Sequence, residues 1–419
     1  MHILLKKVQI VAPASKFHGQ QQDILIKDGI IRRIGQDISA DGAQVVSGEQ
    51  LHVSTGWMDV FAHFCDPGQE HKEDLISGMA AAAKGGYTTV MAMPNTQPAI
   101  STKPQVAYIL SKSQQGPVKV LPIGAATKQT EGTSLAEMYE MQEAGAVAFS
   151  DGTKPIQSPG IMLKALQYVK AFDGIIIQVP DDQSISAHGL MHEGVFSTQL
   201  GMPGKPALAE ELIIQRDLEL ARYTDSRIHF TGISTRQSVA LIKRAKGEGI
   251  KVTCSVTPYH LSLTDAHLYN YDTHLKVNPP LRTAEDVEAL QAAVKEGVID
   301  CFATHHLPQE WDAKQVEFEY AKNGMIGLES AFGVLRKHLP AVSLEQLITM
   351  LTIQPRNIFN IPIPAIEEGA AANLTVFHPD EEWEFRVADI ASRSKNSAYI
   401  GASLKGRVKG IIYGNNYHL

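Results

Sequence analysis

The chain has 419 residues, of which 44% are hydrophobic, and its formal net charge is -7. A mildly acidic chain without a basic run argues against nucleic acid or an anionic membrane surface as the main partner. No apolar stretch of the sequence is long enough to span a bilayer. The three cysteines are few, odd in number and far apart, which is typical of free thiols in a reducing cytoplasm.

The N-terminal segment, up to about residue 55, predicts short strands joined by turns. Lys27-Asp28-Gly29 is a hairpin signal, because an Asp-Gly turn tolerates positive φ angles. The predicted strands of this segment are Ile3–Val11, Gln22–Lys27, Ile30–Ile34 and Val45–Val53.

From Gly56 onwards, short apolar runs alternate with segments of helical spacing. Eight such alternations predict an α/β fold, a (βα)8 TIM-like barrel. The runs are apolar along most of their length, as expected for strands buried on both faces. The predicted barrel strands are Trp57–Phe64, Thr88–Met93, Val118–Ile123, Ala146–Phe149, Gly174–Val179, Ile228–Thr231, Lys251–Val256 and Ile299–Thr304. The predicted helices are Leu75–Lys84, Pro104–Ser113, Ser134–Glu143, Gly160–Lys170, Ala207–Tyr223, Arg236–Lys246, Ala284–Val294, Glu329–Lys337 and Leu344–Thr352.

After Pro355 the pattern returns to strands, which we expect to pair with the N-terminal strands in one composite β-sandwich module built from both termini. The predicted division is therefore residues 1–55 plus 365–419 for this module and residues 56–364 for the barrel. The predicted C-terminal strands are Leu374–Phe377, Trp383–Arg386 and Gly406–Ile412.

Polar side chains follow most of the predicted barrel strands. In a βα barrel, catalytic groups come from the C-terminal ends of different strands. Histidines and carboxylates that converge on one rim indicate metal-assisted hydrolysis, although polar residues at strand ends also cap loops. We expect Asp181 and Asp182 to form an exposed loop pair. The residues at the strand ends are His63, Asn95, Asp151, Val179, Asp181, Gly232, His260, His305 and His306.

Several stretches of the sequence together form a specific pattern: Lys72–Val90, Met93–Pro98, Phe149–Gly152, Glu193–Gly194, Gly201–Gly204, Val252–Leu261, Asn278–Arg282, Gly327–Ser330 and Ser392–Ser397. With these stretches the chain resembles the dihydroorotases of the amidohydrolase superfamily, in particular the longer type found in multifunctional pyrimidine pathways and many bacteria. The resemblance covers essentially the whole chain. It implies a zinc-dependent cyclic amide hydrolase. The fold that it implies is a βα barrel with a composite β-module from both termini.

The resemblance also implies where the metal ligands of the family would stand, and most of these positions are changed. The His-x-His pair after the first strand corresponds to Phe61-Ala-His63, so one ligand is missing. The arginine that holds the substrate carboxylate corresponds to Cys65. The histidines of the fifth and sixth strands correspond to Val179 and Gly232.

Other positions of the family site are retained or altered in a different way. The acidic metal ligand after the fourth strand is kept as Asp151. The aspartate of the eighth strand, a metal ligand and the proposed general base, corresponds to His305, and the later histidine of that motif corresponds to Gln309. Among the substrate-contacting positions, Asn95 and Asn278 remain.

These changes predict a loss of the family reaction. Phenylalanine, valine and glycine side chains carry no donor atom, which argues against a binuclear site. Without a metal, water at neutral pH is a poor nucleophile. Cys65 cannot replace the bidentate arginine clamp, and His305 is not a carboxylate base. We therefore expect a dihydroorotase-like protein that does not hydrolyse dihydroorotate.

A reduced metal site is one alternative. His63, Asp151 and His305 occupy three positions of the family metal centre, and two histidines with a carboxylate can hold a single ion. Cys65 would add a thiolate if its pKa were lowered. The cofactor expectation is therefore either none or one divalent metal, with zinc favoured. In this alternative the protein is a mononuclear cyclic amidohydrolase.

Two non-catalytic hypotheses remain open in addition to the reduced metal site. Members of the family associate with aspartate carbamoyltransferase, so the chain is expected to act in the cytoplasm as a structural or regulatory partner of that enzyme, and as a homodimer by analogy. The other reading is a ligand-binding sensor with Asn95, Asn278 and Arg282 as polar anchors. For Arg282, a structural tie to a carboxylate is the favoured reading.

Overall fold

A computed structural model describes residues 1–114 and 116–419. Within these residues, eight parallel strands follow one another around a barrel in the order of the sequence. The barrel predicted from the alternating pattern is therefore confirmed, and each predicted run overlaps one strand. Barrel strands 1 to 8 are Trp57–Ala62, Tyr87–Ala92, Lys119–Gly124, Ala148–Phe149, Ile176–Gln178, Ile228–Thr231, Val252–Val256 and Cys301–Phe302.

Barrel strands 1 and 8 are joined by contacts between the segments at their ends. The backbone N–H of His63 donates to the carbonyl oxygen of His306 over 2.8 Å. The Asp59 carboxylate accepts a hydrogen bond of 2.7 Å from the backbone N–H of Thr304. These contacts bring the end of strand 8 beside the end of strand 1, so the loops after both strands share one rim.

The predicted helices are found with shifted ends, and two short helices, Gln183–Ser186 and Val195–Leu200, were not predicted. The third helix begins only at Met138, because Ala136 donates to the carbonyl oxygen of Ala126 and keeps the preceding segment extended. The last helix runs through Pro355, where the Arg356 guanidinium donates to the carbonyl oxygens of Thr352 and Gly56. The helices are Leu75–Lys84, Lys103–Ser113, Met138–Glu143, Pro159–Lys170, Gln183–Ser186, Val195–Leu200, Leu208–Thr224, Arg236–Gly247, Ala284–Lys295, Ala331–His338 and Leu344–Ile358.

A second sheet takes its strands from both ends of the chain. His52–Thr55 pairs antiparallel with residues 374–377, which joins the N-terminal strands to the C-terminal ones. The segment predicted as one strand, Val45–Val53, forms two strands separated by a turn at Glu49 and Gln50. The two predicted strands near 374 and 386 belong to one long strand with a register shift between His378 and Glu382. The strands are His2–Ile10, Gln21–Lys27, Ile30–Gly35, Gln44–Val46, His52–Thr55, Asn373–Glu384, Ser403–Tyr413 and Asn416–His418.

This sheet has its own apolar core, which includes Val8, Ile24, Val53 and Leu374. The residue limits predicted for the two modules stay predictions.

Met191–His192 and Gly204–Lys205 form a further short parallel pair outside both sheets. No helix among the described residues is both long and apolar enough to cross a bilayer.

An aromatic cluster packs the barrel against the second sheet. The Trp57 ring is fully buried, and its centroid lies 4.7 Å from that of Phe332 and 5.4 Å from that of Phe377. The indole N–H donates to the hydroxyl of Ser54 over 2.9 Å. Trp57 therefore contributes to both modules, since it begins barrel strand 1 and contacts Phe377 of the long C-terminal strand.

We predict that Trp57→Ala lowers the free energy of unfolding by about 3–5 kcal/mol, because it opens a cavity where the two modules meet. Urea unfolding followed by circular dichroism measures the change. Tyr223→Ala is the matched control: the Tyr223 side chain is 78% exposed, and its loss is expected to cost less than about 0.5 kcal/mol. Equal costs for the two variants would contradict the role given to Trp57.

Candidate functional site

A cavity of about 670 Å³ opens among the loops that follow the barrel strands. Most of the residues singled out from the sequence line it, so the predicted convergence at one rim is found in the structure. The predicted residues that do not line it are Asp151, Asp181, Gly232, His260, Arg282 and His306. The predicted residues that line the cavity are Phe61, His63, Cys65, Asn95, Val179, Asn278, His305 and Gln309.

His63, after barrel strand 1, uses both of its ring nitrogens in contacts with the protein. Its Nε2–H donates to the carbonyl oxygen of Asn95 over 3.0 Å. A carbonyl oxygen only accepts, so the proton of the neutral imidazole is on Nε2 and Nδ1 carries the lone pair. Nδ1 accepts the backbone N–H of Cys65 at 3.0 Å and lies 2.9 Å from the Cys65 Sγ. Burial lowers the pKa of His63 to about 4, so the ring is neutral at physiological pH.

Cys65 takes the place where the resemblance puts an arginine, and it provides no charge. Its side chain is 1% exposed, and its backbone has a φ of +59°, which is uncommon for a residue with a side chain. Burial raises the pKa of the thiol far above its ordinary value. The protonated thiol cannot clamp a carboxylate as a guanidinium does.

Asp151, after barrel strand 4, is turned to the protein and not to the cavity. Its carboxylate accepts the backbone N–H of Thr127 at 2.8 Å and the hydroxyl of the same residue at 2.5 Å. Burial raises the pKa of Asp151 to about 6. The Asp151 carbonyl accepts the Asn95 amide N–H at 2.9 Å, and the Asn95 Oδ1 accepts the backbone N–H of Thr153 at 3.1 Å. Asn95 thus joins the loop after barrel strand 2 to the loop after barrel strand 4 through these two hydrogen bonds.

His305 fills space that a side chain at position 232 would need. A Cβ atom added to Gly232 would lie 2.5 Å from Cε1 of the His305 ring, and Gly232 has a φ of +71°. The His305 Nε2 lies 2.8 Å from the Thr231 hydroxyl, and its ring centroid is 4.8 Å from that of Phe61. Burial lowers the pKa of His305 to about 3. His305 is therefore a neutral ring packed into the barrel mouth.

The residues present do not fit the metal centre that the resemblance implies. The side chains at Phe61, Val179 and Gly232 have no donor atoms. The donor atoms of His63 and Asp151 and the Nε2 of His305 are engaged with neighbouring protein groups. Over residues 1–114 and 116–419, no group of three or more His, Cys, Asp or Glu side chains is placed to hold a metal ion. The geometry thus gives no support to the mononuclear alternative.

Asn278 and Arg282, which the sequence offered as ligand anchors, are tied to other residues. The Asn278 Oδ1 accepts from Lys205 Nζ at 2.6 Å, and the same ammonium contacts the Asp181 carboxylate at 2.6 Å. Burial lowers the pKa of Lys205. Arg282 is 1% exposed and contacts the Glu210 carboxylate of the helix Leu208–Thr224 at 3.4 Å, which is the structural use favoured for it.

The expectation of an exposed Asp181–Asp182 pair is wrong for its first member. Asp181 is 5% exposed because Lys205 and the Ser186 hydroxyl, at 2.7 Å, surround its carboxylate. Asp182 caps the short helix that begins at Gln183 by accepting the backbone N–H of Ser184. Lys205 was missed because a single lysine in a Gly-Lys-Pro context carries no recognisable signal.

Gln309, which the resemblance placed at a family histidine position, is another polar group of the cavity, and three lysines of the cavity were missed from the sequence. The amide of Gln309 donates to the carbonyl oxygen of Asn323 at 2.7 Å, whereas its Oε1 has no hydrogen-bond partner among the described residues. Lys72, Lys154 and Lys322 line the cavity, and none of its lining residues in the described chain is an aspartate or glutamate. The cavity is therefore positively charged. These lysines lie far apart in the sequence, so no local pattern joins them.

Comparisons with known proteins show which family this chain is similar to. A family model described as dihydro-orotase-like matches residues 51–238. The dihydroorotase of Citrifermentans bemidjiense is 38% identical over 411 residues, which cover 97% of each chain. The dihydroorotase of Pelotomaculum thermopropionicum is 41% identical over 410 residues, 97% of this chain and 96% of the other.

Solved structures with the same fold include hydantoinases. The L-hydantoinase (dihydropyrimidinase) from Arthrobacter aurescens aligns with a TM-score of 0.84 at 23% identity, covering 100% of this chain and 96% of that one. A D-hydantoinase aligns with a TM-score of 0.82 at 19% identity, covering 100% and 95%. At such identities the likeness concerns the fold alone.

We predict that Gly232→Ala destabilises the protein more than Gly132→Ala. Both glycines have positive φ, +71° and +70°, but an added Cβ at Gly132 meets nothing within 4 Å. The Gly132 variant should lose about 1–2 kcal/mol from backbone strain alone, and the Gly232 variant about 1–3 kcal/mol more from overpacking against His305. Chemical unfolding measures both. Adding His305→Ala to Gly232→Ala should recover the excess, and equal losses for the two glycines would contradict the contact.

We also predict a pH-dependent difference between the native chain and Asp151→Asn. The folded-state pKa of Asp151 is raised to about 6 from 3.8, so its contribution to stability is fully present below about pH 4 and is lost as the pH rises through about 6. Relative to Asp151→Asn, the native chain should lose about 3 kcal/mol over this interval, because each pKa unit corresponds to about 1.4 kcal/mol. Unfolding curves between pH 4 and pH 7 test this; parallel pH profiles would contradict it.

Proposed function

Because this chain belongs to the dihydroorotase family, we propose that it is a dihydroorotase-like amidohydrolase-fold protein of pyrimidine biosynthesis that does not hydrolyse dihydroorotate. The relatives carry the name dihydroorotase over nearly their whole length, so the loss of activity is argued from the residues of this chain. One observation carries the proposal: side chains without donor atoms stand at Phe61, Val179 and Gly232, where the family places metal ligands.

The contacts of the remaining polar residues support the same conclusion. His63 and Asp151 use their donor atoms within the protein, and His305 is a neutral ring where the family has its carboxylate base. Cys65 cannot supply the positive charge of the family arginine. Hydrolysis of a cyclic amide needs an activated water and a base to take its proton. None of the described residues that line the cavity is a carboxylate that could be that base.

The role that remains for such a protein is assembly. We propose that the chain forms a homodimer and acts as a structural or regulatory partner of aspartate carbamoyltransferase. The support is that the positions that build the fold have been kept, whereas the positions that carry the chemistry of the family have changed. The scaffold motifs of the family, such as Gly327–Ser330 and Ser392–Ser397, are kept and form buried contacts, whereas the chemical positions are replaced.

We predict no detectable dihydroorotate hydrolysis by the purified chain after exposure to zinc or manganese. The absorbance of dihydroorotate follows the reaction, and the dihydroorotase of Citrifermentans bemidjiense, assayed under the same conditions, is the positive control. Elemental analysis of the same samples should find well under one ion per chain. Turnover at an ordinary enzymatic rate, or about one tightly held ion per chain, would contradict the proposal.

The partner is tested separately. The purified chain is mixed with the aspartate carbamoyltransferase of the same organism, and sedimentation velocity measures the size of the species formed. A complex larger than either protein alone is expected. Independent sedimentation of the two proteins at micromolar concentration would contradict the proposed partnership, and would leave the prediction on hydrolysis unaffected.

A further inference from the structure

The loop after barrel strand 8, residues 308–324, closes on itself, and we name it the strand-8 loop. Its ends meet where the backbone N–H of Leu307 donates to the carbonyl oxygen of Met325 over 2.9 Å. Within the loop, the backbone N–H of Lys322 donates to the carbonyl oxygen of Ala313 over 3.1 Å, so its two limbs lie side by side. Compact surface loops whose ends are close are frequently functional.

The two lysines of this loop are turned inward. Lys314 is 3% exposed, and its ammonium donates to the carbonyl oxygens of Lys322 and Thr273 over 2.6 and 2.9 Å. Lys276 reaches into the loop from a neighbouring segment and donates to the carbonyl oxygen of Phe318 over 2.7 Å. Lys322, the other lysine of the loop, lines the cavity. The loop has no arginine, so its exterior has no positive side chain of its own.

The exterior of the loop carries aromatic and acidic side chains instead. Trp311 is 73% exposed and Tyr320 is 68% exposed, although tryptophan is highly buried on average in folded proteins. Asp312, Glu317 and Glu319 are exposed and belong to no ion pair of the described residues. The loop therefore buries its cations and leaves aromatic rings and unpaired carboxylates in contact with solvent.

A second segment with an exposed aromatic side chain lies against the loop. The Thr273 hydroxyl donates to the carbonyl oxygen of Lys314 over 2.6 Å, and Tyr269, close to Thr273 in the chain, is 65% exposed. A contiguous exposed apolar surface marks an interaction site, whereas single exposed residues need no explanation. We name as the outer face the exposed side chains of Tyr269, Trp311, Asp312, Glu317, Glu319 and Tyr320.

We propose that the outer face binds an arginine-rich basic segment of another protein. Its charge selects this partner, because unpaired carboxylates attract a basic chain and suppress partners of like charge. A second copy of this chain, with a formal net charge of -7, would present the same carboxylates and be repelled. Tryptophan and tyrosine rings bind guanidinium groups by cation–π interaction and are enriched among the residues that dominate binding energies.

This inference goes beyond the proposed function and does not depend on it, since a basic peptide reports on the outer face whatever the chain hydrolyses or assembles with. The probe is a fluorescein-labelled peptide of arginines only, titrated with the native chain while fluorescence anisotropy measures binding. We expect saturable binding with a dissociation constant below about 1 mM, which weakens as salt is added. No saturable binding, or equal binding of a peptide of glutamates with the same label, would overturn the proposal.

One pair of variants tests the aromatic contribution. Trp311→Ser should weaken binding of the arginine peptide by about threefold or more, because it removes a ring that accepts a guanidinium. Tyr223→Ser is the matched control, since the Tyr223 ring is 78% exposed at the end of another helix, and it should leave binding unchanged. Circular dichroism checks the fold of both variants. Equal affinities of folded Trp311→Ser and of the native chain would overturn the proposed face.

A second pair of variants separates the outer face from the overall charge of the chain. The triple variant Asp312→Asn, Glu317→Gln, Glu319→Gln should weaken binding by about threefold or more, as expected for three exposed ion pairs. The control variant Glu137→Gln, Glu140→Gln, Glu143→Gln removes the same charge from exposed positions around the helix Met138–Glu143, and should weaken binding by less than about twofold. Equal losses in the two triple variants would overturn the assignment to this face.

Sedimentation velocity tests the competing occupant. Trp311→Ser should leave the oligomeric state of the chain unchanged, because the outer face is proposed to bind another protein. A native dimer that dissociates in folded Trp311→Ser would overturn the proposal and assign the outer face to a second copy of this chain.

Discussion

The buried carboxylate of Glu73 holds the rim of the barrel together. Glu73 is fully buried and accepts hydrogen bonds from the hydroxyls of Ser77 and Ser392 and from the backbone N–H of Arg393. His306 Nε2 lies 3.7 Å from it. Burial alone would raise the pKa of Glu73, but the nearby imidazole of His306 and the hydrogen bonds from the Ser392 and Ser77 hydroxyls hold it below its ordinary value. A buried charge that loses such partners is strongly destabilising, so three distant segments depend on one carboxylate.

The same rim explains why the cavity survives while its chemistry has changed. Asn396 donates to the carbonyl oxygens of Leu307 and Gly324 and accepts the backbone N–H of Gln309. The loop after barrel strand 8 is therefore shaped by the C-terminal segment and not by anything bound in the cavity. A loop held in this way keeps its conformation when the metal-ligand positions of the family are lost.

Within the barrel mouth, the replacements fit one another. The imidazole of His305 packs beside Phe61 and over Gly232, and its Nε2 joins a chain of buried hydroxyls that runs through Thr231 and Ser255. A histidine side chain at position 232 would collide with His305. The interior thus stays close-packed where the family places metal ligands, which is what dense protein cores require. The scaffold and the cavity are therefore both retained although the metal-ligand positions have changed.

The sequence by itself determined the barrel, because period-two and helical patterns are local properties of the chain. It also determined which positions cannot ligate a metal, since a side chain without a donor atom lacks one in any fold. It did not determine how Val45–Val53 divides into two strands or where the last helix ends. Only the tertiary structure decided that Asp151 faces Thr127, that Lys205 neutralises Asp181, and that the Gln309 Oε1 has no hydrogen-bond partner among the described residues. Each of these facts depends on hydrogen bonds between residues far apart in the chain, and such pairings arise only when packing brings the elements together.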